Sequence, residues 1–200
     1  MSEKMLNAAG HRCRGILLQT EGVPIIFFHG FSYTSEVWQR IGVIDLLTEK
    51  HVPFLALDMP YGSKSECQPK TRDIQKNVNF ANKIAEKIFG EQKPIIVGAS
   101  LGGHIALQYA ARFVVKGLLL VAPSGVLEET LVHSLIKFNF PVRIIWGSED
   151  NIISGEEMRI LTDKITNAKL LTYEGGKHSA YVSQPSKFKR DLLELYASVE

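Results

Sequence analysis

The sequence predicts an α/β protein: a mostly parallel central sheet with helices on both faces and no cap domain. Short apolar runs alternate with longer stretches of helical periodicity along the 200 residues, which is the order of βαβ units. Most of the short runs are continuously apolar rather than alternating, as strands are when helices cover both faces of the sheet. The segment Gly98-Ala99-Ser100-Leu101-Gly102 stands where one apolar run gives way to a helical pattern, the place of a sharp strand-to-helix turn.

In chain order, the first two apolar runs are residues 14–19 and Ile25–Phe28, flanking the turn-forming Glu21-Gly22-Val23-Pro24. They predict an early hairpin or edge strand followed by a buried central strand. Ser35, a capping-type residue, opens a helix to about residue 50, and residues 53–57 give the next strand. Ile74, Val78, Ala81, Ile84, Ala85 and Ile88 fall at helical spacing within residues 71–89. The strand 94–97, the Ala-rich helix 101–112 and the strand Gly117–Val121 follow. About 20 residues separate Val121 from Val142, room for one short helix and not for a lid. The strand 142–146, a helix over 155–165, the strand Ala168–Tyr173 and a helix over Pro185–Ala197 complete a single domain spanning 1–200, without repeat or linker.

Composition narrows the function. With 45% hydrophobic and 22% charged residues the chain is ordinary for a globular protein and long enough to bury a core without staples. Lys plus Arg number 23 against 21 Asp plus Glu, so the net charge of +2 makes no field for nucleic acid or an anionic membrane. Residues 1–8 lack the apolar centre of a secretory signal, and no run of about 18 apolar residues occurs, so a cytoplasmic protein is expected. Cys13 and Cys67 have no Cys or His at metal-ligand spacing and are expected to be ordinary thiols.

The chemistry centres on Ser100. In a Gly-x-Ser-x-Gly turn between strand and helix, the glycines remove side chains that would collide with neighbouring backbone and leave the hydroxyl at the tip. A serine hydroxyl needs a base to take its proton and a third group to orient that base. In chain order Ser, acid, His, the candidates are Asp150, in the loop after strand 142–146, and His178, in Gly175-Gly176-Lys177-His178 after the last strand. Glu149 is the rival acid. The oxyanion formed in acyl transfer needs backbone N–H donors, expected from Leu101 and, in His29-Gly30-Phe31, from Phe31. His29 itself is expected to be structural. His104 is expected to pack or reach solvent, and His11, His51 and His133 form no ligand cluster, so no metal site is expected.

His29-Gly30-Phe31, Asp58-Met59-Pro60-Tyr61-Gly62-Ser63-Lys64-Ser65, Gly98 to Gly103, Gly147 to Asp150 and Gly175 to His178 together resemble the α/β-hydrolase superfamily. The wording of residues 29–39 is similar to its small, lidless abhydrolase members, the factor B-like hydrolases. The resemblance implies a Ser100, Asp150, His178 triad, esterase-type or acyltransferase-type activity, and no metal or organic cofactor. The expected partner is a small-molecule acyl ester; the oligomeric state stays open. Phe31, Ser32, Tyr33, Trp38, Tyr61, Ser124, Ile152 and Tyr181 are expected near the carboxyl ends of the strands, where such sheets bind ligands. Phe31, Ser32, Trp38, Tyr61, Ser124 and Ile152 are the candidates for substrate contact. Lys64, Lys70, Arg72 and Lys76 interleave with Glu66 and Asp73 and are expected to form a solvated face. The competing functions are an acyltransferase with the same acyl-enzyme and a binding protein of this fold without turnover.

Overall fold

The computed structural model describes residues 1–126 and 128–199. Among them, one sheet is built from β1 (Ser2–Ala8), β2 (His11–Leu18), β3 (Ile25–Phe28), β4 (Phe54–Leu57), β5 (Ile95–Ala99), β6 (Gly117–Val121), β7 (Val142–Gly147) and β8 (Ala168–Tyr173). The spatial order is β1-β2-β4-β3-β5-β6-β7-β8. β1 and β2 are antiparallel to each other, β2 is antiparallel to β4, and the strands from β4 across to β8 run parallel.

Every residue of β3, β4, β5 and β6 is buried, as the continuously apolar runs require. Alternation sorts their side chains between two cores. Ile26 and Phe28 join the core under α3 (Ile74–Phe89), α4 (Leu101–Ala110), α5 (Glu129–Leu135) and α6 (Gly155–Asp163). Ile25 and Phe27 join the opposite core, under α1 (Glu36–Arg40), α2 (Val43–Glu49), α7 (Ala180–Ser183) and α8 (Pro185–Ala197). Among the described residues α5 alone links β6 to β7, and no cap is inserted there.

The N-terminal third departs from expectation. The expected buried central strand is present as β3, between β4 and β5, but the run before it is neither its hairpin partner nor an edge strand: β2 pairs with β1 and β4. The hairpin is instead β1–β2, turning at Ala9 and Gly10, both at positive φ as a two-residue type I′ turn needs. The helix expected from Ser35 is two helices, broken at Gly42 with φ 72°. Ser35 does not cap with its side chain; its N–H and Oγ–H both donate to Asp58 Oδ1, at 2.8 and 2.7 Å. The two cysteines are not free thiols: Cys13 on β2 is bonded to Cys67 in the loop after β4. A separation of 54 residues hides this pairing from spacing. The fold creates it by laying Gln68 antiparallel against Arg12.

Candidate active site

Ser100 sits between β5 and α4 at φ 52° and ψ −118°, a region a serine avoids. The turn is so tight that a Cβ on Gly98 would collide with the carbonyl of Gly102, and one on Gly102 with the carbonyls of Phe28 and His29. Glycine at both positions is therefore a packing requirement. The carbonyl of Ser100 accepts from Gly103 N–H at 2.9 Å and His104 N–H at 3.1 Å, which starts the helix. It also accepts from Ser124 N–H at 3.2 Å, which ties the loop after β6 to the turn.

The loops after β7 and β8 are locked together beside it. Glu149 N–H donates to Gly176 O at 2.8 Å, Gly175 N–H to Ser148 Oγ at 2.9 Å and Ser148 N–H to Tyr173 O at 3.1 Å. A Cβ on Gly147 would collide with the carbonyl of Gly176, and one on Gly176 would stand 2.9 Å from both Tyr173 O and Ala180 Cβ. Within this lock, His178 Nδ1 lies 2.9 Å from Asp150 Oδ2. The Asp150 side chain is fully buried, and its Oδ1 accepts from the N–H groups of Ile152 and Ile153 at 2.8 and 3.1 Å. Glu149 points to solvent. An ionised, hydrogen-bonded carboxylate here keeps the proton on His178 Nδ1 and leaves Nε2 free to accept.

The His29-Gly30-Phe31 loop leaves β3 next to Ser100. The fully buried His29 donates from Nδ1 to Gly30 O at 2.8 Å and accepts Met59 N–H on Nε2 at 3.0 Å. Burial holds its pKa below the ordinary value, so the ring is neutral in this tautomer. Tyr33 N–H also donates to Gly30 O, at 3.0 Å. With that carbonyl held on one side, the planar trans peptide aims the Phe31 N–H to the other. Among the described residues no protein acceptor takes the N–H of Phe31 or of Leu101. A cleft of about 500 Å³ lies over Ser100, lined by Phe31, Ser32, Tyr33, Ile152, His178 and Tyr181 and by Lys64.

A family model described as alpha/beta hydrolase fold matches residues 23–135, more than half of the chain. The chain belongs to the alpha/beta hydrolase fold family. It is 26% identical over 183 residues to protein ABHD14A of Danio rerio, covering 89% of this chain and 66% of that one. It thus spans a little under two thirds of the length of that relative. It is 22% identical over 181 residues to the human protein named "Putative protein-lysine deacylase ABHD14B", covering 88% and 84%. Among solved structures, a "predicted CIB-like hydrolase" from Thermoplasma acidophilum superposes with a TM-score of 0.85 over 96% of each chain at 24% identity.

In this member of the alpha/beta hydrolase fold family, three of the residues expected at the substrate site stand away from the cleft. Trp38 is fully buried behind the cleft, its ring 5.1 Å from that of Tyr181 and 5.9 Å from Phe188. Tyr61 is also buried and donates its hydroxyl to His29 O. Ser124 meets the site through its backbone and does not line the cleft. Phe31, Ser32 and Ile152 do line it, and Ile152 is an exposed apolar side chain at its mouth. Lys64 and Ser179 are the lining residues the sequence reading missed. Lys64 is exposed, as are Lys70, Arg72 and Lys76, and it reaches the cleft as well because residues 58–65 fold back along the Phe31 loop, a path that charge patterning does not encode. Ser32, Tyr33 and Lys64 also wall a second cavity of about 460 Å³ with Arg14, Arg40, Glu36, Asp58 and Glu66, three cations against three carboxylates.

Proposed function

We propose that the protein is a serine hydrolase that cleaves small acyl esters through an acyl-enzyme on Ser100. The observation that carries this is the 2.9 Å contact between Asp150 and His178, with His178 and Ser100 lining one cleft. His178 Nε2 takes the Ser100 proton as Oγ attacks the acyl carbon, and the N–H groups of Phe31 and Leu101 hold the oxyanion. The tetrahedral adduct collapses as His178 returns that proton to the departing alkoxide. Water, deprotonated by the same nitrogen, then attacks the acyl-enzyme and releases the acid. Asp150 orients the ring throughout and stays ionised. Each of these roles falls to a side chain or a backbone N–H, so the proposal includes no cofactor.

The cleft volume and the single short helix between β6 and β7 support a small acyl group, because neither provides a long apolar channel. A second reading transfers the acyl group between an amine and another acceptor. It is favoured by the open cleft and by the deacylase name of the human relative. As to compartment, the Cys13–Cys67 bond supports an oxidising one over the cytoplasm, where thiols are kept reduced.

A fluorophosphonate probe should label Ser100, and Ser100→Ala should abolish both labelling and p-nitrophenyl acetate cleavage. Undiminished cleavage in that variant sinks the reading. Saturable ligand binding with neither turnover nor adduct would make the protein a binding module. Product analysis with added amines and thiols separates water from other acceptors.

A further inference from the structure

The loop between β4 and α3 passes beside the oxyanion loop and holds it at successive points. Asp58 Oδ1 takes the Ser35 N–H and hydroxyl, Met59 N–H donates to His29 Nε2, and Tyr61 donates to His29 O. Ser63 donates both its N–H and its hydroxyl to Phe31 O, at 2.9 and 3.0 Å. Gly62 lies so close to the His29 ring that a Cβ there would stand 2.6 Å from Cε1. These contacts fix the carbonyls on either side of the peptide that bears the Phe31 N–H.

The gripping segment is itself anchored at its far end. Cys67 is bonded to Cys13, Arg12 and Gln68 exchange backbone hydrogen bonds at 2.8 and 3.0 Å, and His11 Nδ1 lies 2.7 Å from Pro69 O. Cys67 N–H also donates to Ser65 Oγ at 3.1 Å. The disulfide, the Arg12–Gln68 pair and the His11–Pro69 contact all reach β2 within three residues of Cys13, and the sheet makes β2 rigid by pairing it on both edges. The disulfide is the one covalent tie in this relay among the described residues.

We propose that the Cys13–Cys67 disulfide is a positioning element of the oxyanion site, so that turnover follows its redox state. A dithiol reductant supplies two electrons and two protons; it leaves as its own disulfide, and Cys13 and Cys67 become thiols. The 58–68 segment then loosens from β2, and the Phe31 N–H loses its fixed aim. An oxyanion donor acts in the transition state rather than in substrate binding, so the loss falls on kcat and spares KM. A donor that is displaced rather than deleted should cost about tenfold in kcat, less than the roughly 10²–10³-fold for outright removal.

The kinetic arm rests on the proposed hydrolysis at Ser100; a second arm does not. Oxidised protein, protein reduced with dithiothreitol (verified by thiol titration) and Cys13→Ser/Cys67→Ser are compared for kcat and KM on p-nitrophenyl acetate. The same three are compared by amide hydrogen exchange. Reduction should lower kcat about tenfold with KM within about twofold, and should raise exchange at residues 29–33 and 58–68 while β5 to β7 stay protected. Tyr61→Phe, which removes one grip and leaves the disulfide, should lower kcat in the same way. Unchanged exchange at 29–33 on reduction, or an undiminished kcat in an active enzyme, overturns the proposal. An oxidised protein that neither labels nor turns over defeats the hydrolase reading, and the exchange arm still decides the role of the disulfide.

Discussion

Ser100 occupies a backbone region that costs about 1–3 kcal/mol for a residue with a side chain, and the surrounding contacts hold it there. Those contacts hold the proposed nucleophile at the tip of the turn; Asp150 does the comparable work for His178, the proposed base. Its two oxygens are divided, Oδ1 to the N–H groups of Ile152 and Ile153 and Oδ2 to His178. Asp150→Asn can keep the first pair of bonds while presenting an amide N–H to His178 Nδ1, which forces the other tautomer and removes the acceptor at Nε2. We expect kcat on p-nitrophenyl acetate to fall about 10⁴-fold, with a melting temperature within a few degrees of the parent protein. A loss below tenfold would remove Asp150 from the proposed triad. That Ser100, Asp150 and His178 come together was legible because chain order and strand-end placement are sequence properties. Trp38 and Tyr61 were not, because an aromatic residue near the right strand end can face either the cleft or the core. Only the packing of Trp38 on Tyr181 and Phe188, and the bond from Tyr61 to His29, decide which.

At the level of elements, the proposed acid and base belong to two loops that are bonded together as one body. Gly147 and Gly176 bring the backbones into contact, and three hydrogen bonds close the lock. Gly147→Ala would drive a methyl into the Gly176 carbonyl and part the loops, displacing Asp150 from His178. It should cost about 1–3 kcal/mol in urea denaturation and lower kcat by at least about tenfold, a displacement effect of the kind small misplacements produce. Equal activity with equal stability would show that the two loops move independently. The inner strands were readable because burial on both faces leaves a continuous apolar run. β1 was not, because as an edge strand it exposes most of its length and buries only Leu6. The periodicity of residues 35–50 spans two helices because α1 and α2 bury side chains in the same core on either side of Gly42.

The whole molecule places two neutral, buried histidines, His29 and His104, on either side of the Ser100 turn, which couples global stability to pH. His29 faces Asp58, Arg14 and the Tyr61 ring, and burial is the chief cause of its lowered pKa. His104, on α4, faces Glu128 at 3.4 Å and Gln108; burial again lowers its pKa, and the Glu128 carboxylate offsets this only in part. Both groups titrate below the ordinary 6.5 when folded and near it when unfolded. Above that pH both states are neutral, and the full stability is present. As pH falls from 6.5 toward the folded values, the unfolded chain takes up protons that the native structure refuses. Each such group then removes up to about 1.4 kcal/mol per pH unit. Protonating His29 would also set an Nε2–H against the Met59 N–H, which couples the loss to the Phe31 loop. Urea denaturation should therefore give a plateau from pH 8 to about 6.5 and a decline from there to pH 5.5, before most carboxylates titrate. His104→Gln, which cannot be protonated, should flatten part of that decline and leave the contribution of His29. A curve flat down to pH 5.5, or a decline that His104→Gln leaves as steep, would show that acid acts on this fold through other groups.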